Sequence, residues 1–169
     1  MKRRTFVLGL AATLATSLLV IRPGRSATGA GKVRKLLLSD SEWRQRLTPQ
    51  QYNILREKGT EPAHSSPLNH EKRDGVFACA ACELPLFTSM MKYDSGTGWP
   101  SFFDVLPGHV ETKTDFSMIW PRTEYHCARC GGHQGHVFKD GPQPTGLRYC
   151  NNGLALKFFP GKTPDDLLS

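Results

Sequence analysis

The chain has 169 residues, 38% hydrophobic and 22% charged, with 16 glycines and 12 prolines; that is one globular domain, not a disordered, fibrous or polytopic membrane protein. Its net charge of +7 does not make it a polyanion binder, because Lys2, Arg3, Arg4, Arg22 and Arg25 crowd into the first thirty residues, which hold no Asp or Glu. Beyond them 17 basic side chains face 15 acidic ones, about +2, too little for a nucleic-acid footprint.

Residues 1–30 read as an export leader. Lys2-Arg3-Arg4 is a charged start, Thr5 to Ile21 is uncharged and mostly apolar, and Ser26-Ala27-Thr28-Gly29-Ala30 offers cleavage after Ala27 or Ala30. Arg3-Arg4 followed by Thr5-Phe6-Val7-Leu8 looks like a twin-arginine signal, which would deliver a folded protein to the periplasm. An ordinary secretory signal or a retained anchor is the competing reading. A single domain, 31–169, follows, with no membrane span once the leader is gone.

Gly29 to Lys35 reads as a linker, and 39–59 as two short helices. Ser39, Asp40 and Ser41 supply an N-cap for the first. Thr48 caps the second, with Pro49 at its first position, Gln51 completing a capping box, and Gly59 as the stop. Tyr52 and Leu55 share one face. Thr60 to Asp74 is a polar loop with Pro62 and Pro67. From Gly75 the pattern turns to short strands, expected over Gly75–Cys79, Pro85–Tyr93, Val110–Trp120, Gly135–Lys139 and Leu147–Phe159. The whole predicts a mainly β fold, two helices docked on an antiparallel core.

Four of the five cysteines form two pairs, Cys79-Ala-Ala-Cys82 and Cys127-Ala-Arg-Cys130. Two residues between thiols let a tight turn aim both sulfurs at one tetrahedral ion, and two such pairs predict a structural zinc site. A pair of disulfides is the alternative in an exported protein. Cys150 is left over, in Arg148-Tyr149-Cys150-Asn151-Asn152-Gly153; Arg148, two residues away on the same strand face, would favour its thiolate, and an inert buried thiol is the plainer reading.

His133 and His136 stand three apart in Gly132-His133-Gln134-Gly135-His136-Val137-Phe138. On a regular strand they would point to opposite faces, so a bulge or turn at Gly135 is needed to bring them together. Either alone reads as readily as a structural histidine. Ser95-Gly96-Thr97-Gly98-Trp99-Pro100-Ser101-Phe102-Phe103 is a glycine-flanked aromatic loop stiffened by Pro100.

In order, these motifs, with Arg122-Thr123-Glu124 before the second cysteine pair and Arg-Tyr-Cys-x-Asn after the histidines, resemble one family: the methionine-R-sulfoxide reductases of the B class, over roughly residues 36–161. The resemblance implies two antiparallel sheets leaning together and one structural zinc on Cys79, Cys82, Cys127 and Cys130. It makes Cys150 the nucleophile, with His136, Asn152 and His133 holding or protonating the sulfoxide oxygen. Trp99 would wall the methyl pocket, with Phe102 beside it. The cycle would leave a sulfenic acid on Cys150, which needs a second thiol to be reset. Many members carry a recycling cysteine between the glycines of the tryptophan loop; here Thr97 stands there. The expected partners are therefore oxidised proteins and an external thiol reductant, thioredoxin-like or small, acting on a monomer. Asn151 and Gly153 also depart from the family, which often has an apolar residue and a serine there. Two readings compete: a zinc-knuckle binding module without catalysis, which leaves Cys150, His136, Asn152 and Trp99 idle, and a thiol–disulfide oxidoreductase using a C-x-x-C pair, which zinc ligation would block.

Overall fold

The computed structural model describes residues 33–117 and 119–169. The leader expected over 1–30 lies outside the described residues. Helix α1, Asp40–Arg46, is closed by a capping box between Ser39 and Glu42, and α2, Pro49–Glu57, by one between Thr48 and Gln51. Each box satisfies backbone N–H groups that a helix start leaves open. Trp43, Leu47, Tyr52, Ile54 and Leu55 are buried, so both helices dock through their apolar faces. The stop of α2 differs from expectation. Lys58, not Gly59, takes the left-handed conformation, with φ of 60°. Gly59 is needed for closeness instead, since a Cβ there would lie 2.0 Å from Asn53 Oδ1.

Among the described residues nine strands follow, all pairing antiparallel: β1 Gly75–Cys79, β2 Pro85–Thr88, β3 Lys92–Tyr93, β4 Ser101–Phe102, β5 Val110–Asp115, β6 Arg122–Cys127, β7 His133–Phe138, β8 Arg148–Asn151 and β9 Leu156–Pro160. They make a three-stranded sheet, β2-β1-β9, and a six-stranded sheet, β3-β4-β8-β7-β6-β5. The fold is mainly β, two antiparallel sheets with two short helices.

Three expected strands stop early or divide. Pro85–Tyr93 divides at a 3-10 turn, Ser89–Met91, and its halves join different sheets. The strand from Val110 ends at Asp115, whose carboxylate accepts the Ser117 N–H and turns the chain. Leu147–Phe159 is split by a 3-10 turn at Gly153–Ala155, where the Glu61 carboxylate accepts the N–H groups of Gly153 and Leu154 at 2.6 and 2.9 Å. Strands β4 and β6 lie outside the expected set.

The core between the sheets is aromatic. Phe87 stacks on Phe102 with centroids 4.0 Å apart, Phe77 meets the Phe102 edge at 5.0 Å, and Tyr125 meets Tyr149 at 5.2 Å. Tyr149 and Asn151 of β8 face this core, which leaves Arg148 and Cys150 on the sheet's outer face. Among the described residues no helix is long and apolar enough to cross a membrane.

Candidate active site and metal centre

Strand register, not sequence proximity, builds the outer-face site. Cys150 lies directly opposite Ser101 on one side and His136 on the other; Ser101 faces Tyr93, His136 faces Glu124, and Glu124 faces Lys113. Cross-strand partners project from one face, so Tyr93, Ser101, Cys150, His136, Glu124 and Lys113 form a single row. A second row on that face holds Asp115 opposite Arg122, and Phe138 opposite Arg148.

His133 joins the same face because β7 is irregular. Gly135 pairs with Tyr125 and His133 with His126, so Gln134 is skipped. This is the bulge the two histidines require, and their rings meet edge to face at 5.5 Å. Gly135 allows it: a Cβ there would lie 1.9 Å from the Cys150 carbonyl oxygen.

Carboxylates orient both rings. His136 Nε2 lies 2.7 Å from Asp115 Oδ2, and Asp115 also accepts from Ser117 and Arg122, which together hold its carboxyl well below the usual range. His133 Nδ1 lies 3.0 Å from Glu124 Oε1. Burial pushes the His133 pKa down despite that carboxylate, so the ring is neutral near pH 7, and donation from Nδ1 leaves Nε2 as an acceptor. Glu124 is 1% exposed; burial pushes its pKa up, but His133, Lys58 and Lys113 outweigh it, and the carboxyl stays ionised.

Burial likewise pushes the Cys150 thiol up, against the opposing pull of Arg148 and the Thr97 hydroxyl. Arg148 thus acts in the expected direction but does not prevail. Asp140 blunts it by gripping the guanidinium at 2.9 and 2.8 Å. At rest the Cys150 side chain is a thiol.

Trp99 and Asn152 meet at a different corner. Trp99 Nε1 donates to the Glu61 carbonyl at 3.1 Å, while Asn152 Oδ1 accepts the Glu61 N–H and Asn152 Nδ2 donates to the Gln134 carbonyl, each at 3.1 Å. The Asn152 side chain therefore ties three chain segments together, and no hydrogen bond joins it to His133, His136 or Cys150. Phe102 does not line the methyl pocket. It is fully buried between Phe77 and Phe87, on the face opposite Cys150, because the residue after Ser101 on a strand must point the other way. It fills core and lines no pocket at the thiol.

At the other end, Cys79, Cys82, Cys127 and Cys130 place their sulfurs within 4.8 Å of one another, with Cys79–Cys130 at 3.6 Å and Cys82–Cys127 at 3.5 Å. Sulfurs bound tetrahedrally to one zinc stand about 3.8 Å apart. Two matching turns present them: Glu83 N–H donates to the Cys79 carbonyl and Gly131 N–H to the Cys127 carbonyl, and Glu83 and Gly131 both take positive φ. Gln134 Nε2 donates to Cys79 Sγ at 3.3 Å, a contact that would also support a thiolate ligand. The donor set fits a four-thiolate metal. Cys79 ends β1 and Cys127 ends β6, so the cluster joins the two sheets.

The SelR domain family matches residues 47–160. A peptide methionine sulfoxide reductase MsrB of Agrobacterium fabrum is 53% identical over 127 residues, 75% of this chain and 94% of that protein. The MsrB of Leptospira interrogans is 54% identical over 71% of this chain and 92% of its own. Mouse mitochondrial methionine-R-sulfoxide reductase B3 is 46% identical over 78% of this chain and 52% of its own. The chain belongs to the MsrB family.

Within an MsrB frame, several residues that position the site had no role assigned from sequence. Asp115 and Glu124 orient the histidines, although Glu124 had been noted within Arg122-Thr123-Glu124. Glu61 ties Trp99 to Asn152 from a loop that read only as polar. Ser101 faces Cys150, and its hydroxyl, with those of Ser95 and Thr97, forms a chain with links of 2.7 and 2.8 Å. The register that joins them is a tertiary property no single segment displays.

Proposed function

We propose that this MsrB reduces methionine-R-sulfoxide in proteins to methionine at Cys150. The observation that carries the reading is the placement of Cys150: the one thiol outside the four-sulfur cluster stands opposite His136 on an outer sheet face, and the chain is an MsrB. The bond between the substrate's sulfur and oxygen breaks and a bond between that oxygen and the Cys150 sulfur forms. The substrate sulfur is reduced by two electrons, and Cys150 is oxidised by two to the sulfenic acid. Nucleophilic attack needs the sulfoxide oxygen protonated and the thiolate available. His136, oriented by Asp115, and His133, oriented by Glu124, are the groups placed to manage those protons. Trp99 would wall the methyl group: the next residue, Pro100, accepts the N–H of Asn151, which follows Cys150, at 2.9 Å. A non-catalytic binding module would leave this arrangement without purpose.

Thr97 cannot form a disulfide, so the sulfenic acid is reset from outside. One external thiol condenses with it, releasing water, and a second reduces the mixed disulfide. Cys79, Cys82, Cys127 and Cys130 would hold one structural zinc, which supplies folding energy and keeps those thiolates from exchanging. The protein would work as a monomer, exported to the periplasm by residues 1–30. The export reading rests on Arg3-Arg4 and the apolar run behind it; secretion that survives Arg3→Lys with Arg4→Lys would remove the twin-arginine assignment. The central test is turnover of each sulfoxide epimer by wild type and Cys150→Ser, with mass mapping after one cycle without reductant. Only the R epimer should be consumed, one thiol lost per chain, and a sulfenic-acid trap should mark Cys150. A disulfide from Cys150 to any of the other four cysteines would overturn the single-thiol cycle.

A further inference from the structure

The hairpin between β5 and β6 exposes apolar side chains beside the site. Phe116 is 77% exposed, Ile119 93% and Trp120 80%. The stretch from Phe116 to Pro121 carries no charge, although Asp115 and Arg122 close it with an ion pair at 2.8 Å. Folding gains nothing from leaving two aromatic rings and an isoleucine in water, and clusters of this kind mark interaction surfaces. The loop is continuous with the site through Asp115, which accepts the Ser117 N–H on the loop side and holds His136, opposite Cys150, on the other.

We propose that Phe116, Ile119 and Trp120 form a docking surface for an apolar, extended segment of the oxidised polypeptide whose sulfoxide enters the Cys150 site. The occupant follows from continuity with that site: a polypeptide anchored at Cys150 on β8 that runs across the outer face toward β5 reaches this loop. From β8 to β5 is three strand spacings, and with the offset between rows the reach is about 15 Å, the span of four or five extended residues. The loop therefore reads the side chains four or five positions from the sulfoxide and selects apolar ones, as segments exposed by partial unfolding carry. The inference rests on the reductase reading above.

The test sets the full chain carrying Phe116→Ser, Ile119→Ser and Trp120→Ser against the wild type on three R-sulfoxide substrates: N-acetylmethionine sulfoxide, a peptide with Leu and Phe four and five residues from the sulfoxide, and the same peptide with Ser there. KM for the apolar peptide should rise by about tenfold or more, the loss of one well-packed anchor's worth of binding, with kcat unchanged and both other substrates unaffected. Phe116→Leu with Trp120→Phe should restore most of it. Affinity for the fluorescent apolar peptide with unoxidised methionine should fall in parallel. An unchanged KM for the apolar peptide, or an equal rise on all three substrates, would overturn the proposal. So would loss of binding to phosphatidylethanolamine–phosphatidylglycerol vesicles with the peptide KM unmoved, which would make the loop a membrane contact. If wild type fails on N-acetylmethionine sulfoxide, the reductase reading fails, and the unoxidised-peptide affinity still decides the docking claim.

Discussion

At the metal corner four sulfurs come from two short turns, each sequence-local, and only the meeting of the turns is tertiary. On the outer face, Cys150 has no chemical neighbour within its own segment except Arg148; His136, Ser101 and Thr97 reach it from other segments. The first site joins the two sheets, and the second lies within one. The difference teaches what each can lose. Removing a sulfur from the corner removes folding energy, whereas removing the sulfur of Cys150 deletes one polar atom from a finished surface.

The sharpest way to break that comparison is one serine at each place. Cys127→Ser should release the metal and unfold the protein, since structural zinc sites can contribute on the order of 10 kcal/mol of folding free energy. Metal content and circular dichroism report it. Cys150→Ser should keep the wild-type metal content and a near-native melting temperature while abolishing turnover. A stable, metal-free and active Cys127→Ser protein would erase the distinction.

Next in size come the groups that orient the histidines. His136→Ala should lower kcat/KM by about 10²–10⁴-fold, the usual contribution of a positioned proton donor. Asp115→Asn keeps the shape but replaces an anionic acceptor, and should show only part of that loss. Equal activity of Asp115→Asn and wild type in steady-state assays would show that His136 needs no carboxylate.

What was legible in the sequence follows the same division. Capping boxes at Ser39 and Thr48 and the C-x-x-C pairs declared themselves because their partners lie two or three residues away. The need for a bulge near Gly135 was legible too, because two histidines three apart cannot otherwise share a face. The place of Phe102 is not legible from its loop, because Ser101 and Phe102 form a two-residue strand whose faces differ. Asp115, Glu124 and Glu61 stayed silent, since an acidic residue on a strand or loop looks the same whether it faces water or a buried histidine.

The pH dependence of stability tests whether the outer face is as passive in folding as the serine comparison says. His133 sits below its ordinary pKa when folded, so the unfolded chain binds the proton more readily. Its contribution is fully present above about pH 6.5 and is lost as the pH falls below that value, by up to about 1.4 kcal/mol per pH unit. Thermal melts at pH 8, 6.5 and 5.5 should show the decline. Glu124→Gln removes the carboxylate that resists the shift, so it should steepen the acid loss. Stability that rises on acidification between pH 6.5 and 5.5 would contradict the assignment.

The smallest expected effect concerns the ionisation of Cys150. Burial sets the direction, so iodoacetamide alkylation should titrate above the ordinary cysteine value of about 8.5. Arg148 and Asp140 then act in opposite senses on one sulfur: the cation favours the thiolate and the carboxylate opposes it. Arg148→Met should move the alkylation midpoint up, and Asp140→Asn should move it down by less, because the carboxylate acts from farther away. The guanidinium keeps a second support in the latter variant, lying 4.3 Å above the Phe138 ring. Neither change should bring the thiol to the ordinary value, because neither removes the burial. A midpoint that falls in Arg148→Met would mean that the strand face around Cys150 opens on losing the arginine, and that desolvation, not charge, is what Arg148 controls.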